Sequence, residues 1–231
     1  MIASVHIADI GAATALRALG RTPKSKSTTG LRHANVAIAA PLSSSTRPSP
    51  QFGRFALLAF WNDEASLDRF LDADRLAEQL RGGWQARLEP LRMHGSWPGV
   101  PDDVSQSRSV DYSGPAVVFT LGRLRLTQTR RFIRTSAQAE GAATQAPGLV
   151  WGTGLARPPF VATCSVWESS RALATYAYGH SEPAHHNAIE TDQTKPFHHQ
   201  SAFIRFRPLA SSGSLGGRNP FTDTAILPSG S

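Results

Sequence analysis

Phe55-Ala-Leu-Leu-Ala-Phe-Trp61 and Phe160-Val-Ala-Thr-Cys-Ser-Val-Trp167 are two versions of one strand. Both run almost wholly apolar between turn-forming residues, as a strand buried on both faces does, and both end on tryptophan. Outward from this pair further correspondences follow in the same order. Gly30-Leu31 matches Gly148-Leu149, Leu88-Glu-Pro-Leu91 matches Phe206-Arg-Pro-Leu209, and Gly95-Ser96 matches Gly213-Ser214. A spacing of roughly 105 to 118 residues is too long for a stacked-repeat array and suits two fused copies of one small domain.

Within the first copy, residues 4–10, 31–39, 55–61 and 84–93 read as strands, and residues 12–19 and 68–81 as helices. Asn62 or Asp63 is placed to cap the second helix, whose apolar stripe is Leu67, Phe70, Leu71 and Leu76. The second copy repeats the order through strands at 116–121, 149–155, 161–167 and 202–209, with helices over 130–140 and from near Ser170. Strand, helix, strand, strand, helix, strand is the ferredoxin-like order, so the expected class is α+β with antiparallel sheets. Two such units in tandem imply a dimeric α/β-barrel type of architecture inside one chain. The expected boundaries are 1–96 for the first unit, 97–113 for a linker, 114–210 for the second unit and 211–231 for a flexible tail.

Bulk properties narrow the function. The 231 residues are 40% hydrophobic and 18% charged, ordinary values for a folded protein. The net charge of +7 invites a nucleic-acid reading, yet only Lys24, Lys26 and Lys195 are lysines and the arginines are scattered, Arg130-Arg131 being the nearest thing to a cluster. No nucleic-acid motif accompanies them, so a solvated arginine surface is expected, with contact to an anionic membrane surface kept open. No basic leader precedes a long apolar core and no run is long enough to span a membrane, so a cytoplasmic protein is expected. Cys164 lies inside an apolar strand, where a buried, inert thiol is expected.

The copies differ most in their second helix. The first copy has no histidine there. The second carries Tyr176-Ala-Tyr-Gly-His-Ser-Glu-Pro-Ala-His-His-Asn-Ala-Ile189, and five of the chain's eight histidines (His180, His185, His186, His198, His199) fall close together. Gly179 is expected to end one helical piece and Pro183 to restart it after Ser181. His185 then shares a face with Ile189, and His186 with Glu190. An imidazole facing an apolar cavity is what an axial haem ligand requires. A packed or solvated histidine is the plainer alternative. Zinc held by His180 with His185, or by His185 and His186 with His198 and His199, is a third, without support from a Cys-x-x-Cys or His-Glu-x-x-His motif. Gly152-Thr-Gly154 lacks the third glycine of a dinucleotide loop, and no Gly-x-Ser-x-Gly elbow is present.

At these residues the chain resembles the spheroidene monooxygenase family of haem-containing carotenoid oxygenases. The matching pieces are Phe55 through Glu64, Trp84 through Leu91 with Gly95-Ser-Trp97, Pro147-Gly-Leu149 with Gly152 to Arg157, and Ala162 through Glu168. They continue with Tyr176-Ala-Tyr178, His185 with Ala188-Ile189, and Phe203-Ile-Arg-Phe206. The resemblance implies haem in the C-terminal half with His185 on the iron, and fold analogy with aldoxime dehydratases and chlorite dismutases points the same way. Lys195-Pro-Phe-His-His-Gln200 departs from the family's Trp-Phe and acidic residues before the last strand, which puts a carotenoid substrate in doubt.

The resulting expectation is a haem-dependent monooxygenase-like enzyme that oxidises an apolar small molecule with O2 and an electron donor, in a chain that can pair as a homodimer. His198 or His199 is expected to supply a hydrogen bond or proton, Arg205 and Arg207 to meet haem propionates from the rim, and inward-facing Trp151, Val166, Phe203 and Phe206 to form apolar walls. The alternatives are a non-catalytic haem- or lipophile-binding protein and an aldoxime-dehydratase-like haem lyase.

Overall fold

The computed structural model describes residues 1–47, 49–107, 110–178 and 196–221. The apolar runs become strands and the polar, glycine-marked intervals become turns, in the order β1 (Ile2–Asp9), α1 (Ala12–Leu19), β2 (Leu31–Pro41), β3 (Arg54–Trp61), α2 (Glu64–Ala73), α3 (Arg75–Leu80) and β4 (Trp84–Gly95). The second copy follows as β5 (Ala116–Leu124), a short 3-10 turn (Leu126–Gln128), α4 (Thr129–Gln145), β6 (Leu149–Arg157), β7 (Phe160–Trp167), α5 (Ser170–Tyr178) and β8 (His198–Ser212). In each copy the first strand lies between the third and fourth, the ferredoxin-like pairing. Antiparallel seams between β2 and β6 and between β4 and β8 close the two sheets into one barrel, β1-β3-β2-β6-β7-β5-β8-β4. The fold is thus α+β with tandem ferredoxin-like copies, as the repeat predicts. Even the irregularities repeat: β2 slips register against β3 between Leu31 and His33, and β6 slips against β7 between Leu149 and Trp151.

Alternation along each strand sends one set of side chains inward. Val5, Ile7, Leu58, Phe60, Val117, Phe119, Ile204 and Phe206 meet there and fill the interior. An eight-stranded barrel is just wide enough for side chains to occupy its centre, and these do so. This corrects one expectation: Trp151, Val166 and Phe206 do face inward, but as parts of a solid core, with Trp151 resting on Trp84 at 5.2 Å between ring centroids. The chain keeps packing past the expected end of the second unit at residue 210. β8 continues to Ser212, and Phe221 returns to bury itself 6.3 Å from Trp84, sealing that end of the barrel.

The outer face of the first copy is dry. Phe55, Leu57 and Trp61 are covered by Leu67 and Phe70 of α2, and the Trp61 indole donates to Ser4 Oγ at 2.9 Å. Asp63 caps α2 by accepting from the Ser66 amide at 2.8 Å. The single helix expected over 68–81 is two helices, because Asp74 is extended and its carboxylate accepts from the Leu76 amide at 2.7 Å, capping a new start.

His6, buried on this face, has its pKa pushed down from 6.5 to about 4, first by burial and then by the Arg87 charge. The folded state therefore resists a proton that the unfolded chain accepts below 6.5. Stability is full above that pH and is expected to fall by up to about 3 kcal/mol as pH drops toward the folded value. Urea unfolding midpoints at neutral and mildly acid pH check this, and His6→Leu should flatten the acid limb.

Candidate site on the outer face of the C-terminal sheet

The ladders give every outward position of the second sheet a counterpart in the first. Across β2, β3 and β1 of the first copy runs the row Val36, Leu57, His6, and the corresponding row across β6, β7 and β5 is Gly154, Thr163, Thr120. The next row, Ile38, Phe55, Ala8, becomes Ala156, Val161, Gly122. At each of these positions except the Thr120 one, the second copy loses an apolar side chain or most of one. The consequence is visible in exposure: Val36, Leu57 and His6 are at most 3% exposed, whereas Gly154 and Thr163 are half-buried and Thr120 is exposed. The buried cluster on this face shrinks to Ala116, Val118, Ala146, Trp167 and Leu173, far smaller than its counterpart. What is a packed helix-sheet interface in one copy is a shallow floor of small residues in the other.

Walls rise around this floor. On α5, Tyr176 stacks on Trp167 at 5.0 Å, and its hydroxyl donates to the Ala139 carbonyl of α4 at 3.3 Å, tying the two helices together. Ser169 accepts from the Ala172 amide at 3.0 Å, the cap that Asp63 provides in the first copy. At 17 residues, α4 is about two and a half turns longer than the eight-residue α1, and Glu140 sits on the added length. The loop after β2 crosses the seam from the first copy: Leu42 lies over Gly152, and the Ser43 amide donates to Glu140 Oε2 at 3.1 Å. Glu140 Oε1 hangs above Gly154, 4.0 Å from where a Cβ would stand. Burial holds the Glu140 carboxyl above the usual carboxylate range, with the Ser43 N–H pulling the other way.

The structure sorts the expected site residues. His198 and His199 lie on β8 itself rather than in a loop before it, because β8 must reach along both β4 and β5. The His198 ring belongs to the outer face: it covers Gly122 so closely that a Cβ there would run into it, and it meets Phe132 of α4 edge-on at 5.4 Å. His199 is exposed and lines an open groove with Leu124, Leu126 and Pro159, away from the floor. Phe203 faces outward, not into the barrel as expected, since Ala202 and Ile204 take the inward positions. Arg205 is 3% exposed on the same outer face, not at an open rim. Its counterpart in the first copy is Arg87, which Glu64 and Asp68 of α2 hold. Arg207 is exposed and engaged with Glu89. The fold therefore brings His198, Phe203 and Arg205 to one face, while Trp151 belongs to the core and His199 and Arg207 stand apart. His180, His185 and His186 lie outside the described residues. Among the described residues, no group of three His, Cys, Asp or Glu is placed to hold a bare metal ion, and no helix is long and apolar enough to cross a membrane.

Gly152-Thr-Gly154 is a strand, not a phosphate loop; the glycines thin the floor. Glu140 and the Leu42–Ser43 crossing were not legible as site residues in the sequence. The missing bulk was: small residues at 152, 154 and 163 stand where the repeat has Ala34, Val36 and Leu57.

No protein-family model matches this chain, and no curated protein matches it. Solved structures do. An aldoxime dehydratase in complex with butyraldoxime is similar at 7% identity and a TM-score of 0.49, over 90% of this chain and 79% of that one. A candidate monooxygenase from Fusobacterium nucleatum is similar at 8% identity and a TM-score of 0.41, over 93% and 95%. A heme-degrading enzyme from Listeria monocytogenes is similar at 14% identity and a TM-score of 0.30, over 87% and 98%. These likenesses concern the course of the chain alone.

Proposed function

We propose that this chain is a haem-dependent monooxygenase-like enzyme that oxidises an apolar small molecule on the outer face of its C-terminal sheet, the reading that its resemblance to the spheroidene monooxygenase family implies. The observation that supports it is the thinned floor. A flat tetrapyrrole needs a broad, flat, largely apolar bed, and four adjacent strands provide roughly 14 Å of width at the usual strand spacing. Glycine, alanine, threonine and valine keep that bed low across β6, β7 and β5, while His198, Phe203 and Arg205 of β8 border it, so the residues present fit such a group. His185, outside the described residues, would hold the iron; Arg205 would meet the propionates through charge-assisted hydrogen bonds. When bound, haem would supply oxygen activation. The chain's own share is positional. His198, wedged between Gly122 and Phe132, holds an imidazole at one edge of the floor, and the Tyr176–Trp167 stack closes the opposite side against water.

The test is the absorption spectrum of the purified protein, as isolated and after addition of haemin. A Soret band is expected, and His185→Ala should abolish it or shift it strongly. A colourless protein that takes up no haemin would overturn the proposal. Oxygen consumption with a hydroxylated or keto product, given an electron donor, separates a monooxygenase from a lyase or a simple binder.

A further inference from the structure

The carboxyl of Glu140 is bound asymmetrically. Oε2 accepts the Ser43 amide from the other copy, while Oε1 is turned toward the floor above Gly154. The approach that makes this possible is tight, since a Cβ on the neighbouring Gly141 would come within 2.9 Å of Ser44 Cβ. Among the described residues no arginine or lysine forms an ion pair with Glu140. A half-buried carboxyl fixed by one oxygen, with the other aimed at a surface cleared of side chains, is the arrangement of a group that exchanges a proton with something lying on that surface. The first copy has nothing equivalent, because α1 is too short to carry it.

We propose that Glu140 is a catalytic acid–base residue of this face, and that the substrate is a largely apolar molecule bearing a hydroxyl group, held at the edge of the bed beneath α4. The proton passes between that oxygen and Glu140 Oε1: the substrate O–H bond breaks as the carboxyl O–H forms, or the reverse, with no change of oxidation state. Ser43 keeps its hydrogen bond to Oε2 throughout, so the carboxyl does not turn away when it changes charge. Burial favours the protonated form, so the group is available as an acid at higher pH than an exposed glutamate. Thr163 and Thr120, the hydroxyls in the same ladder row as Gly154, are neutral and leave the proton to Glu140.

This inference rests on the outer face being the ligand site, and the experiment separates the two. 7-Hydroxycoumarin, a flat phenol whose excitation spectrum reports its ionisation, is titrated against the wild-type protein and Glu140→Gln from roughly pH 4 to 9, a window that begins at the ordinary carboxylate range. The glutamine keeps an acceptor for the Ser43 amide, and its thermal midpoint should match the wild type. The wild type is expected to bind the probe with an affinity that bends with pH as Glu140 titrates. In Glu140→Gln the Glu140 contribution to that bend should vanish, leaving only the probe's own ionisation, which the excitation spectrum reports separately, and affinity for the neutral phenol should drop about tenfold. A protonated-carboxyl infrared band, present in the wild type and absent from Glu140→Gln, should shift when the probe binds; a purely structural carboxyl would not respond. Probe binding with an unchanged pH profile in the variant would overturn the role of Glu140 while sparing the site. Failure of the wild type to bind either the probe or haemin would overturn the site itself, and this role with it.

Discussion

Gly154→Val combined with Thr163→Leu is expected to abolish uptake of a flat ligand by the C-terminal face without weakening the fold. These two changes restore the side chains that the first copy carries at the same ladder positions, Val36 and Leu57. Gly154 has no positive φ, and a Cβ there meets only the Ala40 carbonyl at 3.6 Å and Glu140 Oε1 at 4.0 Å, ordinary van der Waals contacts. Valine suits a strand better than glycine and restricts the unfolded chain, so stability should hold or rise by up to about 1 kcal/mol. Ligand, in contrast, would have to lie where methyl groups now stand. A loss of affinity of at least 100-fold, about 2.7 kcal/mol, is expected in haemin and 7-hydroxycoumarin titrations. Undiminished binding in a folded double variant would place the ligand elsewhere. Gly122→Ala offers a contrast: its Cβ collides with His198 rather than filling the floor, so it should move the histidine and perturb the ligand's spectrum more than its affinity.

Trp84→Ala should be the most damaging single change to stability. Trp84 is fully buried at the end of the barrel, in contact with Trp151 and Phe221, and its indole donates to Ser211 Oγ at 2.9 Å. Truncation removes a large apolar surface, leaves a cavity that strands on a closed barrel cannot collapse into, and strips Ser211 of its donor. The expected cost is about 4 kcal/mol, a large fraction of the stability of an ordinary domain. Chemical unfolding measures it directly. A loss below about 1 kcal/mol would mean that the barrel end is looser than the packing of Phe221 implies.

The architecture was largely legible in the chain. Phe55 to Trp61 and Phe160 to Trp167 announce the duplication, and period-two alternation fixes which residues of each strand share a face. What alternation cannot say is whether the inside of the barrel or its outside holds a ligand. Both directions are apolar in sequence, so Trp151 and Phe203 look alike until closure sends one into a filled core and leaves the other beneath the helices. Nor could the helical reading of residues 130–140 single out Glu140. Its significance comes from a loop almost 100 residues earlier in the chain whose amide it meets across the β2–β6 seam.

The sequence by itself determined the repeat, the α+β class and the half of the molecule in which the two copies differ most, because hydrophobic periodicity and turn residues act locally and are written in order along the chain. Only the tertiary structure decided that the barrel is solid, that the open surface is the outer face of β6, β7, β5 and β8, and that Glu140, His198 and Arg205 share it. Those outcomes depend on strand pairing between distant segments and on how much volume each row of side chains leaves behind, which no local pattern records.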